Sequence, residues 1–129
     1  MIRKVMLIYV LTLIFATAYA HRDEPSAIIK FMRTEHDYGE IEQNSDGMCE
    51  FKFKNMGDEP LILSNLRSSC GCTVPEWPKD PIKKAKEGII KVKYNTRIVG
   101  AFSKTIVVYS NGSEEPVYLK IKGVVTKTN

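Results

Sequence analysis

The chain has 129 residues, 43% of them hydrophobic and 26% charged, with a formal net charge of +4. That is the length of one domain, apolar enough for a packed core, which excludes global disorder. Setting aside Arg3 and Lys4 leaves 17 basic residues against 15 acidic ones, so the balance excludes a nucleic-acid binder. The three cysteines are too few for a disulfide-dense miniprotein, and the two histidines argue against an all-protein zinc site and most hydrolase mechanisms.

Residues 1–20 read as a secretory signal peptide. Arg3 and Lys4 form its basic start, Val5 to Phe15 its apolar stretch, and Ala18-Tyr19-Ala20 a small-x-small cleavage site. Cleavage there leaves His21 first; Ala16-Thr17-Ala18 offers a second site that leaves Tyr19 first. The apolar stretch falls short of the ~20 residues that span a hydrocarbon core. No cysteine follows it closely to carry a lipid, and no later segment is long enough to cross a membrane. The expectation is an exported protein, periplasmic or extracellular, with residues 21–129 as a single domain.

From Ile28 onward the dominant period is two. Ile28 to Arg33 makes a first strand. In Met48-Cys49-Glu50-Phe51-Lys52-Phe53-Lys54, Cys49, Phe51 and Phe53 face one way and the charged residues the other. Leu61 to Leu66 is a strand with less clear alternation. Ile90-Lys91-Val92-Lys93-Tyr94 and Val117-Tyr118-Leu119-Lys120-Ile121-Lys122 alternate cleanly, and Lys104 to Tyr109 is an apolar strand between them. One apolar and one lysine-rich side is the pattern of antiparallel sheets with one buried face. Phe51, Phe53, Val92, Leu119 and Ile121 are expected to share one core.

Turn chemistry separates these runs at Asn44-Ser45-Asp46-Gly47, Asn55-Met56-Gly57-Asp58-Glu59-Pro60 and Ser110-Asn111-Gly112-Ser113. Gly71 to Glu87 carries Pro75, Pro78 and Pro81, and proline cannot donate to a central ladder, so this stretch is a loop or an irregular edge. Six or seven short strands in about 100 residues predict an all-β, two-sheet sandwich.

In chain order the residues form a recognisable series: His36-Asp37-Tyr38-Gly39-Glu40-Ile41, Phe51-Lys52-Phe53-Lys54-Asn55-Met56-Gly57, Pro60-Leu61-Ile62-Leu63, Ser69-Cys70-Gly71-Cys72-Thr73-Val74-Pro75-Glu76-Trp77-Pro78, Gly88-Ile89-Ile90 and Ser110-Asn111. It resembles the bacterial secreted family DUF1573, whose hallmark is the Ser-Cys-Gly-Cys-Thr segment. That family is similar to the immunoglobulin-like domains of the ASH, Hydin and major sperm protein group. The resemblance covers about residues 28 to 125 and implies an immunoglobulin-like antiparallel β-sandwich of about seven strands, with no established activity. Where the family usually has a Pro-Gly-like turn before the Gly88 strand, this chain has Lys83-Lys84-Ala85-Lys86.

Cys70-Gly71-Cys72 is the main chemical feature, and three readings compete. The two thiols could pair with each other, in a tight ring that needs a turn at Gly71. One could pair with Cys49 across the sheets, unless Cys49 is simply a small buried hydrophobe. Two thiolates could instead hold a soft metal such as Cu(I). Structural thiols at Cys49, Cys70 and Cys72 thus stand beside a redox or copper site at Cys70 and Cys72. A tight turn that presents both thiols predicts Gly71 in a conformation that a side chain would resist.

Other groups offer less. His36 and Asp37 are adjacent on a strand, point to opposite faces and cannot form a base with its orienting carboxylate. A His21 amino terminus has the groups of a copper chelate, but no histidine follows His36 to complete one. Trp77 in its proline-rich loop packs over the Cys-Gly-Cys segment or serves as a contact residue. Lys83, Lys84 and Lys86, with Lys79, Lys91 and Lys93 nearby, form a basic patch suited to an acidic partner. No Gly-x-Ser-x-Gly motif and no phosphate loop is present. The leading expectation is a non-catalytic binding or structural module of the cell envelope, without a cofactor, whose partner is another envelope protein or a glycan. The competing class is a small copper-binding or thiol redox protein built on the Cys-Gly-Cys loop.

Overall fold

The computed structural model describes residues 26–129. The expected signal peptide, its expected cleavage sites and the expected His21 terminus lie outside these residues. Eight strands follow one another: β1 (Ile29–Phe31), β2 (Glu35–Glu42), β3 (Met48–Asn55), β4 (Leu63–Ser68), β5 (Thr73–Glu76), β6 (Glu87–Tyr94), β7 (Gly100–Ser110) and β8 (Val117–Thr126). They form two four-stranded sheets, in the orders β1-β3-β6-β5 and β2-β8-β7-β4. This is the expected all-β sandwich. It has eight strands rather than about seven, and β2 runs parallel to β8 while every other pair is antiparallel.

The alternating runs behave as their side chains require. Cys49, Phe51 and Phe53 on β3 meet Val92, Ile90 and Gly88 across β6, and Leu119 and Ile121 on β8 close the core from the other sheet. Phe51, Phe53, Val92, Leu119 and Ile121 are all fully buried, as the alternation predicts. Each such side chain contributes roughly 1.5–3 kcal/mol of burial. Tyr94 of β6 stacks on Phe102 of β7 at 3.7 Å between ring centroids, an aromatic tie between the two sheets.

β2 departs from simple alternation, and β5 realises the edge alternative for the proline-rich stretch. β2 carries a bulge between Asp37 and Glu40, which leaves Gly39 and Glu40 both exposed and turns Tyr38 and Ile41 both inward. β5, within the proline-rich stretch, is an edge strand paired only with β6, where Pro75 needs no ladder donor. A register shift between Leu63 and Asn65 accounts for the weak alternation of β4.

The chain changes sheets at both open sides of the sandwich. Met32-Arg33-Thr34 links the edge strands β1 and β2, and Ser69 to Cys72 links the edge strands β4 and β5. At the end of the sandwich where β3 finishes, Asn55 is fully buried with its amide fully used. Its Oδ1 accepts from Gly57 N at 3.0 Å and Ile28 N at 3.4 Å. Its Nδ2 donates to Glu59 O at 2.8 Å and Ile82 O at 2.9 Å. Asn111 clasps the same end, donating to Pro60 O and accepting from Ile62 N. The disulfide turn and the loops at 43–47 and 95–99 lie at the opposite end.

Candidate functional site

Cys70 and Cys72 are joined to each other, with their Cα atoms 5.4 Å apart, and Cys49 is free and buried. This overturns the alternative of a bridge from Cys49 across the sheets. Cys49 faces the core from β3, and β6 lies between β3 and β5. Two strand spacings of about 4.8 Å each place Cys49 beyond disulfide reach of Cys72. Burial pushes the Cys49 thiol pKa up, so it is a poor nucleophile. Gly71 also departs from expectation. Its φ lies outside the left-handed region and a Cβ there would meet nothing within 4 Å. Gly71 faces solvent between two half-buried cysteines, Cys72 packing against the core, and the turn needs no special backbone.

Hydrogen bonds hold this turn apart from its sulfurs. Ser68 Oγ donates to Cys70 O at 2.8 Å, Thr73 N to Cys70 O at 3.4 Å and Asn95 N to Cys72 O at 2.9 Å. Ser69 is pinned to Thr105 of β7 in both directions. The bond thus lies within the β4–β5 crossover, whose backbone these other contacts also hold, and Cys72 packs against the core. Loop closure over three residues contributes about 1.6 kcal/mol, against about 3 kcal/mol for a fifteen-residue loop. While the bond is closed neither sulfur is a thiolate, so a soft-metal site at Cys70 and Cys72 requires its reduction. Among the described residues, no group of three or more His, Cys, Asp or Glu could hold a metal ion.

Beside the turn lies a cleft of about 360 Å³ lined by Gly71, Cys72, Lys93, Tyr94, Asn95 and Arg97. An adjoining depression runs past the same Lys93 and Arg97 to Asn44 and Ser45. No carboxylate lines either, so the cations set the local potential. Ile98 and Val99, each 47% exposed, follow Arg97 on the same loop. Sequence reading missed Arg97, Ile98 and Val99; two adjacent aliphatic residues in a turn after a strand were the available signal.

Trp77 is partly buried against the core, with Lys79 Nζ 2.9 Å from its ring centroid. A shallow depression of about 230 Å³ beside it is lined by Glu76, Trp77, Ile89 and Lys91. Ile89 is the apolar exception on the outer face of β6, and Lys91 stands between Glu50 of β3 and Glu76 of β5. Lys83, Lys84 and Lys86 do not line this depression; they occupy the turn before β6. Lys84 is paired with Asp58 at 2.8 Å, and that carboxylate holds its pKa above the usual lysine value. Of the residues read as one basic patch, Lys91 lines this depression and Lys93 the cleft beside the disulfide, while Lys83, Lys84 and Lys86 line neither.

His36 and Asp37 form no catalytic pair. The Asp37 carboxylate accepts from Gly39 N at 2.8 Å. His36 Nδ1 meets an Arg33 guanidinium nitrogen and must accept from it, and the ring stands edge-on to Tyr38 at 4.5 Å. Burial and the Arg33 charge lower the His36 pKa, so the ring is held neutral.

Residues 29–125 match the family model described as "Protein of unknown function (DUF1573)". No curated protein matches the chain. Among solved structures, a protein of unknown function from Porphyromonas gingivalis W83 is similar at TM-score 0.70 and 14% identity, over 81% of this chain and 50% of that one. The chain thus spans half the length of that protein. The ASH/PapD-like domain 7 of human CEP192 is similar at TM-score 0.68 and 9% identity, over 85% of this chain and 93% of that one. The Vibrio cholerae VesB protease is similar at TM-score 0.55 and 8% identity, over 74% of this chain and 31% of that one. At these identities the shared property is the fold, and the likeness to an ASH domain is borne out at that level.

Proposed function

The chain belongs to the DUF1573 family, and on that premise we propose that it is an exported, non-catalytic binding module. It meets another envelope protein or a glycan through the outer face around Trp77. The observation that carries this reading is the juxtaposition of the half-buried Trp77 with the exposed Ile89 in one shallow depression. Lys79 and Lys91 stand above and beside it. A rigid aromatic anchor with an apolar neighbour and a charged rim is the composition of a contact surface. The sandwich itself supplies a scaffold rather than a chemistry.

Two features support export. Residues 1–20 have the pattern of a signal peptide, and the Cys70–Cys72 bond belongs in an oxidising compartment. Among the described residues no helix is long and apolar enough to cross a membrane. Residues 21–129 then make up the mature domain, starting at His21.

The test places a photo-crosslinking residue at position 91 and exposes the protein to an envelope extract and to a panel of glycans. One discrete adduct or one glycan class is expected, lost in Trp77→Ala and in Ile89→Glu. Ile89 is exposed, so its variant reports on the surface without disturbing the core. Equal capture by wild type and Ile89→Glu rejects this face.

A further inference from the structure

The geometry points to a second site at the disulfide end of the sandwich: we propose that the Cys70–Cys72 bond exchanges with thiols of an acidic, cysteine-bearing polypeptide seated in the adjoining cleft. The bond can open without releasing the β4–β5 crossover, because other contacts hold that crossover too. The backbone on either side is held by Asn95 N on Cys72 O and by the two-way contact of Ser69 with Thr105. It is also within reach, since Cys72 lines the cleft and Gly71 is exposed with open space around it.

The lining selects the partner. Lys93 and Arg97 flank Cys72 in a cleft with no carboxylate, which draws in acidic chain and attacking thiolate alike and favours the thiolate that leaves. Ile98 and Val99 supply an apolar foothold on the same loop. The third cysteine stays out of the exchange, because Cys49 is buried on the far side of β6.

The step balances with the partner's dithiol as the only reductant. A partner thiolate attacks Cys72 Sγ, the Cys70–Cys72 bond breaks, and Cys70 leaves as a thiolate that takes a proton from water. The partner's second thiol, as its thiolate, then attacks its own sulfur in the mixed disulfide and releases Cys72, which is protonated in turn. The partner loses two electrons and closes a disulfide; Cys70 and Cys72 gain the two electrons and end as thiols.

The experiment follows reduction of the purified protein by two synthetic dithiol peptides of equal length, one acidic and one basic. Alkylation and intact mass read the thiols, and near-ultraviolet circular dichroism reads the fold. The expected result is reduction of one bond with the fold retained, about tenfold faster by the acidic peptide at low salt and with the gap closing at high salt. Lys93→Gln with Arg97→Gln should close the same gap while leaving the fold intact. Cys70→Ser with Cys72→Ser should fold and form no adduct. A bond that yields only when the protein unfolds overturns the proposal, as do equal rates for the two peptides. Trp77→Ala and Ile89→Glu leave these rates unchanged, so the two sites can fail separately.

Discussion

The ring of Phe53 occupies the space that a side chain on residue 88 would need. The two residues are paired across β3 and β6, and a Cβ at Gly88 would run into the ring, with Cε1 and Cε2 each 2.9 Å away. Gly88→Ala should therefore destabilise by roughly 1–3 kcal/mol through overpacking, and Phe53→Ala by roughly 3–5 kcal/mol through the cavity it leaves. The two changes share one volume, so Gly88→Ala combined with Phe53→Ala should cost less than the sum of the singles. Denaturant titration of the four proteins measures this. Strict additivity would show that the ring does not fill that space.

Asn55 is a buried polar residue that holds one end of the sandwich together. Its amide serves Ile28, Gly57, Glu59 and Ile82, each through the backbone. Asn55→Ala leaves these buried groups short of partners and should cost about 3 kcal/mol. Asn55→Asp keeps the acceptor but sets a carboxylate oxygen against Glu59 O and Ile82 O, so it should be no better than alanine. Urea melts of both variants check the order; an aspartate variant near wild-type stability would contradict this hydrogen-bond assignment.

Ala85 adopts φ 63°, a left-handed conformation that glycine takes without penalty. It sits where the family resemblance leads one to expect a Pro-Gly-like turn, and its N–H still reaches Asn55 O at 3.0 Å. The left-handed conformation costs an L-residue roughly 1–2 kcal/mol. Part of that is offset by the greater freedom of an unfolded glycine, so Ala85→Gly should stabilise by about 0.5–1 kcal/mol. A lower thermal midpoint in this variant would argue against the left-handed turn.

His36 predicts a pH dependence. Burial first, and then the Arg33 charge, lower its pKa below the ordinary 6.5. In acid the unfolded chain therefore takes up a proton that the folded chain resists. The contribution to stability is present above 6.5 and is lost as pH falls through the lower folded value. His36→Asn should flatten the stability profile between about pH 7 and pH 5 relative to wild type. Parallel profiles for the two proteins would place the proton elsewhere.

Some of this architecture was legible because it is written in a period of two. In the strands around Phe51, Val92 and Leu119 the side chains alternate without interruption, so their inward faces follow from the sequence. β2 was not legible, because the bulge at Gly39 and Glu40 resets the alternation halfway along it. At the candidate sites, the Cys-Gly-Cys turn and Trp77 stood out by residue type alone. Ile89 and Arg97 did not, because each gains meaning only from neighbours brought up by other strands.

Alternation of apolar and charged side chains is a local property, and by itself it determined an all-β chain with one buried face per strand. Pairing is not local. That β2 runs parallel to β8, that β5 lies at an edge where Pro75 is tolerated, and that β6 separates Cys49 from Cys72 depend on residues far apart in the chain. The choice among three cysteine pairings was decided by that intervening strand, because a disulfide forms only where two Cα atoms come within about 7 Å.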